Sequence, residues 1–141
     1  MSRIEELEKK LADKRAERAK AEEAQYELDL EARLALEDEH GTIAAVKVAR
    51  FAPGQPTCAY LRVPTGPEYK RYKDQIHYAV EAKSVPKQQN AAETLAKSCW
   101  VYPSTDEAKK AMLDAFPGLL SPLANAAAAL AEGKSERLGK E

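Results

Sequence analysis

Ser98-Cys99-Trp100-Val101-Tyr102-Pro103-Ser104, then Phe116-Pro117-Gly118-Leu119-Leu120, holds the single Trp, one of two Phe and one of two Cys in a chain of 141 residues. The two proline-marked breaks bracket one short amphipathic segment. Proline disfavours helix in the residue before it, so each break ends a helix and starts another. The stretch contains no acid–base pair and no ligand cluster. Its content is that of a packing core, and it predicts a small helical unit built around Trp100.

Working outward, Asn90 with Glu93 has the spacing of a helix start, giving a helix over 91–99 with Leu95 and Cys99 on one side. Ser104 with Glu107 predicts the next helix start, with Ala108, Met112 and Phe116 in line. Ser121-Pro122 opens the last helix, striped by Leu123, Ala127 and Leu130 and closed by Gly133. Upstream, Thr65 and Glu68 form a capping box with Pro67 in the first turn, where a missing N–H does no harm. The helix that follows runs over 66–82, with Tyr69, Tyr72, Ile76 and Val80 as its expected core face. Residues 84–89 read as a polar loop. Residues 42–51 and 58–63 are rich in β-branched residues and flank a Pro-Gly turn, which predicts a β-hairpin.

The N-terminal segment differs in character. Residues 2–38 contain neither Pro nor Gly and are dominated by Ala, Leu, Glu, Lys and Arg, so they read as one long helix. A heptad frame runs through Ile4, Leu7, Leu11, Lys14, Arg18, Ala21, Gln25, Leu28, Ala32 and Ala35, with a second apolar line at Tyr26, Leu30 and Leu34. The first half is expected to be a weak coiled coil or a solvated helix supported by Glu5–Lys9 and Glu6–Lys10 pairs. The second half, 22–38, is expected to lay a wide apolar face on something. The fold class is therefore α+β, mostly α: a long charged helix over 1–40, then a hairpin and about four short helices over 41–133. A flexible tail is expected over 134–141.

Formal net charge is −1, but its distribution is blocked. Residues 1–20 carry 7 basic against 5 acidic side chains, a net of +2, and 21–40 carry 1 against 8, a net of −7. Residues 41–103 carry 9 against 4, a net of +5. The basic middle is suited to docking the acidic half of the first helix, within one chain or between copies. Lys70, Arg71 and Lys73, interleaved with Tyr69 and Tyr72, could instead meet phosphates and bases. Against that, the tyrosines have core spacing and the chain is not basic.

Chemistry is poorly provided for. His40 and His77 stand alone, and Cys58 and Cys99 lie far apart in sequence, so no zinc-ligand spacing occurs. No Gly-rich loop precedes a helix, and neither cysteine has a base beside it in a recognisable motif. No enzyme activity, cofactor or metal is expected. There is no N-terminal apolar signal segment and no apolar run of spanning length, which fits a cytosolic protein with reduced thiols.

The sequence Ala92-Glu93-Thr94-Leu95, continuing to Trp100-Val101-Tyr102-Pro103, then Phe116-Pro117-Gly118 and an Ala-rich helix to Gly133, resembles the tail assembly chaperones of long-tailed bacteriophages. Val63-Pro64 and Glu68-Tyr69-Lys70-Arg71-Tyr72-Lys73 resemble that family's basic-aromatic helix. The likeness covers residues 42–133, and helix 2–38 departs from it. It implies a non-enzymatic assembly factor of the host bacterial cytoplasm that oligomerises. Such a factor keeps a helical tape measure protein soluble, helps recruit tail tube protein and leaves the finished particle. Tyr69, Tyr72, Trp100, Tyr102, Pro103, Phe116, Pro117 and Gly118 would be its mostly structural motif, with Lys70, Arg71 and Lys73 as partner-binding candidates. The competing expectations are a structural virion subunit of connector or stopper type and a small nucleic-acid-binding regulator.

Overall fold

The computed structural model describes residues 2–133; the tail expected over 134–141 lies outside them. Helix α1 spans Arg3–His40, 38 residues, a rod about 57 Å long at 1.5 Å per residue. Ser2 caps it, its Oγ accepting from the Glu5 N–H at 3.1 Å. Gly41 stops it with φ +76°, a conformation that a side chain would strain, and its N–H returns to the Glu37 carbonyl. The expected Glu–Lys pairs of the first turns are not made; Arg3 instead approaches Glu6 at 3.9 Å, and Arg33 pairs with Glu37 at 3.1 Å.

Strands β1 (Ile43–Lys47) and β2 (Cys58–Arg62) form the expected antiparallel hairpin, with Ala45 opposite Tyr60. The sheet has a third member that sequence patterning did not reveal: Trp100–Tyr102 is strand β3, antiparallel to β2. Its three residues leave no room for alternation to register, and the helices α2 (Gly66–Glu81) and α3 (Val85–Cys99) intervene between β2 and β3. The remaining helices are α4 (Asp106–Ala115) and α5 (Leu120–Ala131).

The sheet is covered on both faces, which is why Cys58, Ala59, Tyr60 and Leu61 are all buried in succession. Ala59 and Leu61 pack with Leu95, Ala96, Cys99 and Trp100 and with the Ala-rich stripe of α5. The small side chains Ala124, Ala126 and Ala127 let α5 approach α3 and the sheet closely. On the other face Ile43, Cys58 and Tyr60 form a smaller cluster with Leu36 of α1 and with Val101 and Tyr102.

Several helix boundaries depart from the sequence expectation. The polar loop expected over 84–89 is the cap and first turn of α3: Ser84 Oγ accepts from the Lys87 N–H, and Pro86 sits in that turn without losing a needed donor. The cap of α4 is Thr105, accepting from the Ala108 N–H at 3.1 Å, one residue later than the expected Ser104. Helix α5 starts at Leu120 without a side-chain cap, so Ser121 lies already inside it. On α2 the buried residue is Ala79, and Val80 is 54 % exposed. Tyr72 and Ala79, seven apart, define the inner face, which rotates Val80 outward.

The largest correction concerns α1. The part that touches the body does so through Gln25, Asp29, Arg33 and Leu36, at three-to-four spacing, with Asp29 fully buried. The leucines expected to dock do not: Leu28, Leu30 and Leu34 are 57, 40 and 69 % exposed. Every residue from 2 to 21 is exposed, so the first half of α1 projects past the body as a solvated arm.

Candidate interaction surfaces

Among the described residues the buried polar side chains, Asp29 and Thr57, belong to one clamp. Asp29 Oδ2 accepts from the Thr57 N–H at 2.7 Å and from the Thr57 hydroxyl, while Oδ1 accepts from the Tyr102 hydroxyl and, at 3.0 Å, from the Gln25 amide. The Tyr60 hydroxyl donates to the Asp29 carbonyl at 2.8 Å, and the Tyr60 and Tyr102 rings stack with centroids 5.0 Å apart. A buried carboxylate is tolerated when its lone pairs are filled in this way. Burial, with the Asp29 charge adding to it, holds both phenols well above the ordinary tyrosine range. These groups are saturated by one another, and the cluster fixes α1 on the sheet.

The acidic half of α1 thus lies on the basic middle of the chain, but neutral donors make the joint. Among the described residues no ion pair links α1 to the body; Arg33 lies over the Tyr60 ring at 5.9 Å. A second clamp joins the helices. Arg62 grips Glu68 with both nitrogens at 2.8 Å and donates to the Ser98 carbonyl at 2.7 Å, tying the start of α2 to the end of α3. Arg62 holds the Glu68 carboxyl down to about 2.

The motif residues named from the sequence are spread through this frame. Trp100 is 3 % exposed, and its Nε1–H donates to the Tyr102 carbonyl at 2.6 Å. Pro103 is buried after a cis peptide bond. Phe116 is half-buried under Arg50, whose guanidinium lies 4.9 Å from the ring and donates to the Ala115 carbonyl. Pro117 and Gly118 are exposed at the turn. Tyr72 packs on the core, and the Tyr69 hydroxyl donates to Glu132 at 2.8 Å. Lys70 is exposed and paired with Asp74 at 3.0 Å, Lys73 lies over the Tyr69 ring at 5.7 Å, and Arg71 is exposed. The tyrosines are therefore not free platforms for bases.

Sequence reasoning missed Asp29, Thr57, Tyr60 and Arg62. Asp29 is one of eight acids in residues 21–40, and nothing local marks it as the buried one. Both cysteines are free thiols and buried. Burial raises Cys58 and pushes Cys99 up to about 11, which suits inert packing groups. Among the described residues there is no cluster of three or more metal-ligating side chains, and no helix is long and apolar enough to cross a membrane.

What remains exposed is apolar surface on helices. Besides the α1 leucines, Ile4, Leu7 and Leu11 are 68, 47 and 48 % exposed on the arm, and Tyr78, Val80 and Val85 crowd the corner between α2 and α3. A cleft of about 250 Å3 lies between the end of α3 and α4, lined by Lys97, Trp100, Asp106, Lys109, Lys110 and Leu113. Neither protein-family models nor curated proteins nor solved structures give a match to this chain.

Proposed function

We propose that this protein is a non-enzymatic assembly chaperone of the phage-tail type. It acts in the cytoplasm of a host bacterium, holds a helical tape measure protein soluble and helps recruit tail tube protein. The observation that carries the proposal is the amount of large apolar side chain left in solvent on helices: Ile4, Leu7 and Leu11 on the arm, and Leu28, Leu30 and Leu34 beyond it. Ile4, Leu7 and Leu11 recur at three-to-four spacing, and an exposed apolar stripe of this kind suits a protein interaction site. Helical clients expose apolar stripes of their own before assembly, and two such faces match in helix-to-helix contact.

The motif resemblance over residues 42–133 supports the same reading. The two polar clamps argue for a structural role, since buried Asp29 and part-buried Glu68 spend their lone pairs on fixing helices. Lys70 and Lys73 have partners within α2, which leaves Arg71 as the strongest free cation of the three and weakens the nucleic-acid alternative.

Co-expression with a candidate tape measure protein tests the proposal. Soluble co-purification, with the chaperone missing from finished particles, is the expected result. Stoichiometric presence in purified particles would make the protein a structural subunit instead. DNA or RNA binding that weakens steeply with salt would favour a nucleic-acid role.

A further inference from the structure

The two edges of the sheet are not alike. Strand β3 is three residues long, meets β2 in an irregular register and runs into Pro103. Strand β1 has five residues in unbroken register with β2, no proline, and one charged side chain, Lys47, at its end. Short, irregular or proline-bounded edges resist further pairing, whereas a regular edge is a template for it. We propose that β1 takes up an extended segment of another protein as a fourth strand, one that is apolar on one side and basic on the other. The proposal does not rest on the helical client, whose contact is with helix faces.

The Val48 N–H donates to the Thr57 carbonyl at 3.0 Å, so these opposed residues form a hydrogen-bonded pair. Such pairs alternate along an antiparallel ladder, which turns the backbones of Ala44 and Val46 towards β2 and those of Ala45 and Lys47 away from it. Among the described residues no other group bonds to the N–H or C=O of Ala45 or Lys47, and both residues are exposed. Their donors and acceptors form an open row.

The two faces specify what can join. Ala44 and Val46 are half-buried on the main core, where α5 lies against β1. An added strand prolongs that face and needs apolar side chains on it. Ala45 and Lys47 face the other way, with Ile43, on the side where α1 packs. There a cleft of about 300 Å3 lies between α1 and the hairpin, lined by Ala19, Glu22, Glu23, Tyr26, Lys47 and Thr57. Glu22 and Glu23 have no ion-pair partner among the described residues. They belong to a segment of net −7 (1 basic against 8 acidic). Lys47 is the single cation of that lining, so the cleft stays acidic and favours basic side chains on this face of the incoming strand. In strand addition the main chain supplies affinity and the alternate side chains specificity.

Amide exchange measured residue by residue on the full-length protein tests the proposal, with a capped peptide of about seven residues alternating Val and Lys as the probe. In the free protein the Ala45 and Lys47 amides should exchange fast, beside slow amides at Ala44, Val46 and Val48. With the peptide at up to about 1 mM, the two fast amides should slow at least about tenfold. The same peptide with Glu for Lys, or with Pro at its centre, should leave them fast. Ala45→Pro deletes an outward N–H and no bond to β2, so the Val46 amide should stay slow while peptide affinity falls at least about tenfold. If that variant misfolds, Glu22→Lys/Glu23→Lys leaves the strand backbone alone and should weaken the peptide likewise. Ala45 and Lys47 amides already slow in dilute free protein overturn the proposal. So does slowing that follows protein concentration alone, which would make a second copy the occupant. An unresponsive edge at the highest peptide concentration, or folded variants that bind the peptide like the wild type, overturn it too.

Discussion

The Tyr102 hydroxyl donates to the Asp29 carboxylate across 73 residues of sequence. That bond, with the two from Thr57, makes a buried acid the joint between the long helix and the sheet. Asp29→Ala would leave the Thr57 and Tyr102 donors buried without an acceptor. The expected loss is about 3 kcal/mol in urea unfolding, within the range for breaking buried bonds to a charge. A loss below about 1 kcal/mol would show that water replaces the carboxylate.

Both phenols of this joint should resist ionisation. Their folded pKa values are raised, mainly by burial. Their contribution to stability is therefore complete below the ordinary tyrosine value of 10 and is lost as pH rises through the higher folded values. Spectroscopic titration of the native protein near pH 10 should find Tyr60 and Tyr102 still protonated, whereas the chain in urea should titrate all six tyrosines. Ionisation of all six at ordinary pH while the fold persists would contradict the burial.

Acid should act on the other clamp. Glu68 is lowered from 4.5 to about 2, first by its hydrogen bonds to Arg62. Its stabilisation is present above 4.5 and lost as pH falls towards 2. Glu68→Gln should cost about 2 kcal/mol at neutral pH, allowing for partial exposure, and should flatten that acid limb. Chemical denaturation at several pH values measures both, and an unchanged limb would assign the acid sensitivity elsewhere.

The turn between α2 and α3 holds a residue in a conformation that favours glycine. Lys83 has φ +54°, its N–H bonds the Val80 carbonyl, and the Ser84 N–H bonds the Ala79 carbonyl. This is the Schellman pattern with Lys in the left-handed position. Lys83→Gly should raise stability by about 0.5 kcal/mol, relief of the left-handed penalty being offset in part by glycine's greater unfolded entropy. Lys83→Val should lower stability by about 1–2 kcal/mol. Thermal unfolding separates the two, and a less stable Gly variant would mean the Lys side chain contributes more than the backbone costs.

Trp100→Ala should cost about 3–5 kcal/mol, as for a large buried aromatic. In the native wild type, Cys58 and Cys99 should react with a thiol reagent only slowly, and fully once the chain is unfolded. Near-normal stability of Trp100→Ala would place that ring at a contact surface rather than in the core.

How much of this was legible depended on range. The long helix, the Thr65–Glu68 capping box, the hairpin turn and the Pro117-Gly118 break are set by chemistry within a few residues, and they stand where patterning put them. Ser84 was misassigned because a cap followed by Pro86 and polar residues looks the same as a loop. The choice between Ser104 and Thr105 as cap was likewise one that composition could not make.

The face of α1 is the clearest case of a decision made elsewhere. Its sequence offers apolar lines through Leu28 and through Leu30, and an acid-rich remainder. The helix docks by Asp29 because Thr57, Tyr60 and Tyr102 meet on one side of the sheet and supply donors to it. Those residues lie 28, 31 and 73 positions away. Strand β3 was hidden for the same reason: Trp100 and Tyr102 become a strand by pairing with Leu61 and Tyr60. Sequence by itself determined that the long helix, the capped start of α2 and the proline-marked breaks occur, but not the exact starts of α3, α4 and α5. Tertiary structure decided which faces they bury, because a hydrogen bond to a buried charge outweighs the burial of a partly covered leucine, and its donors come together only in the folded chain.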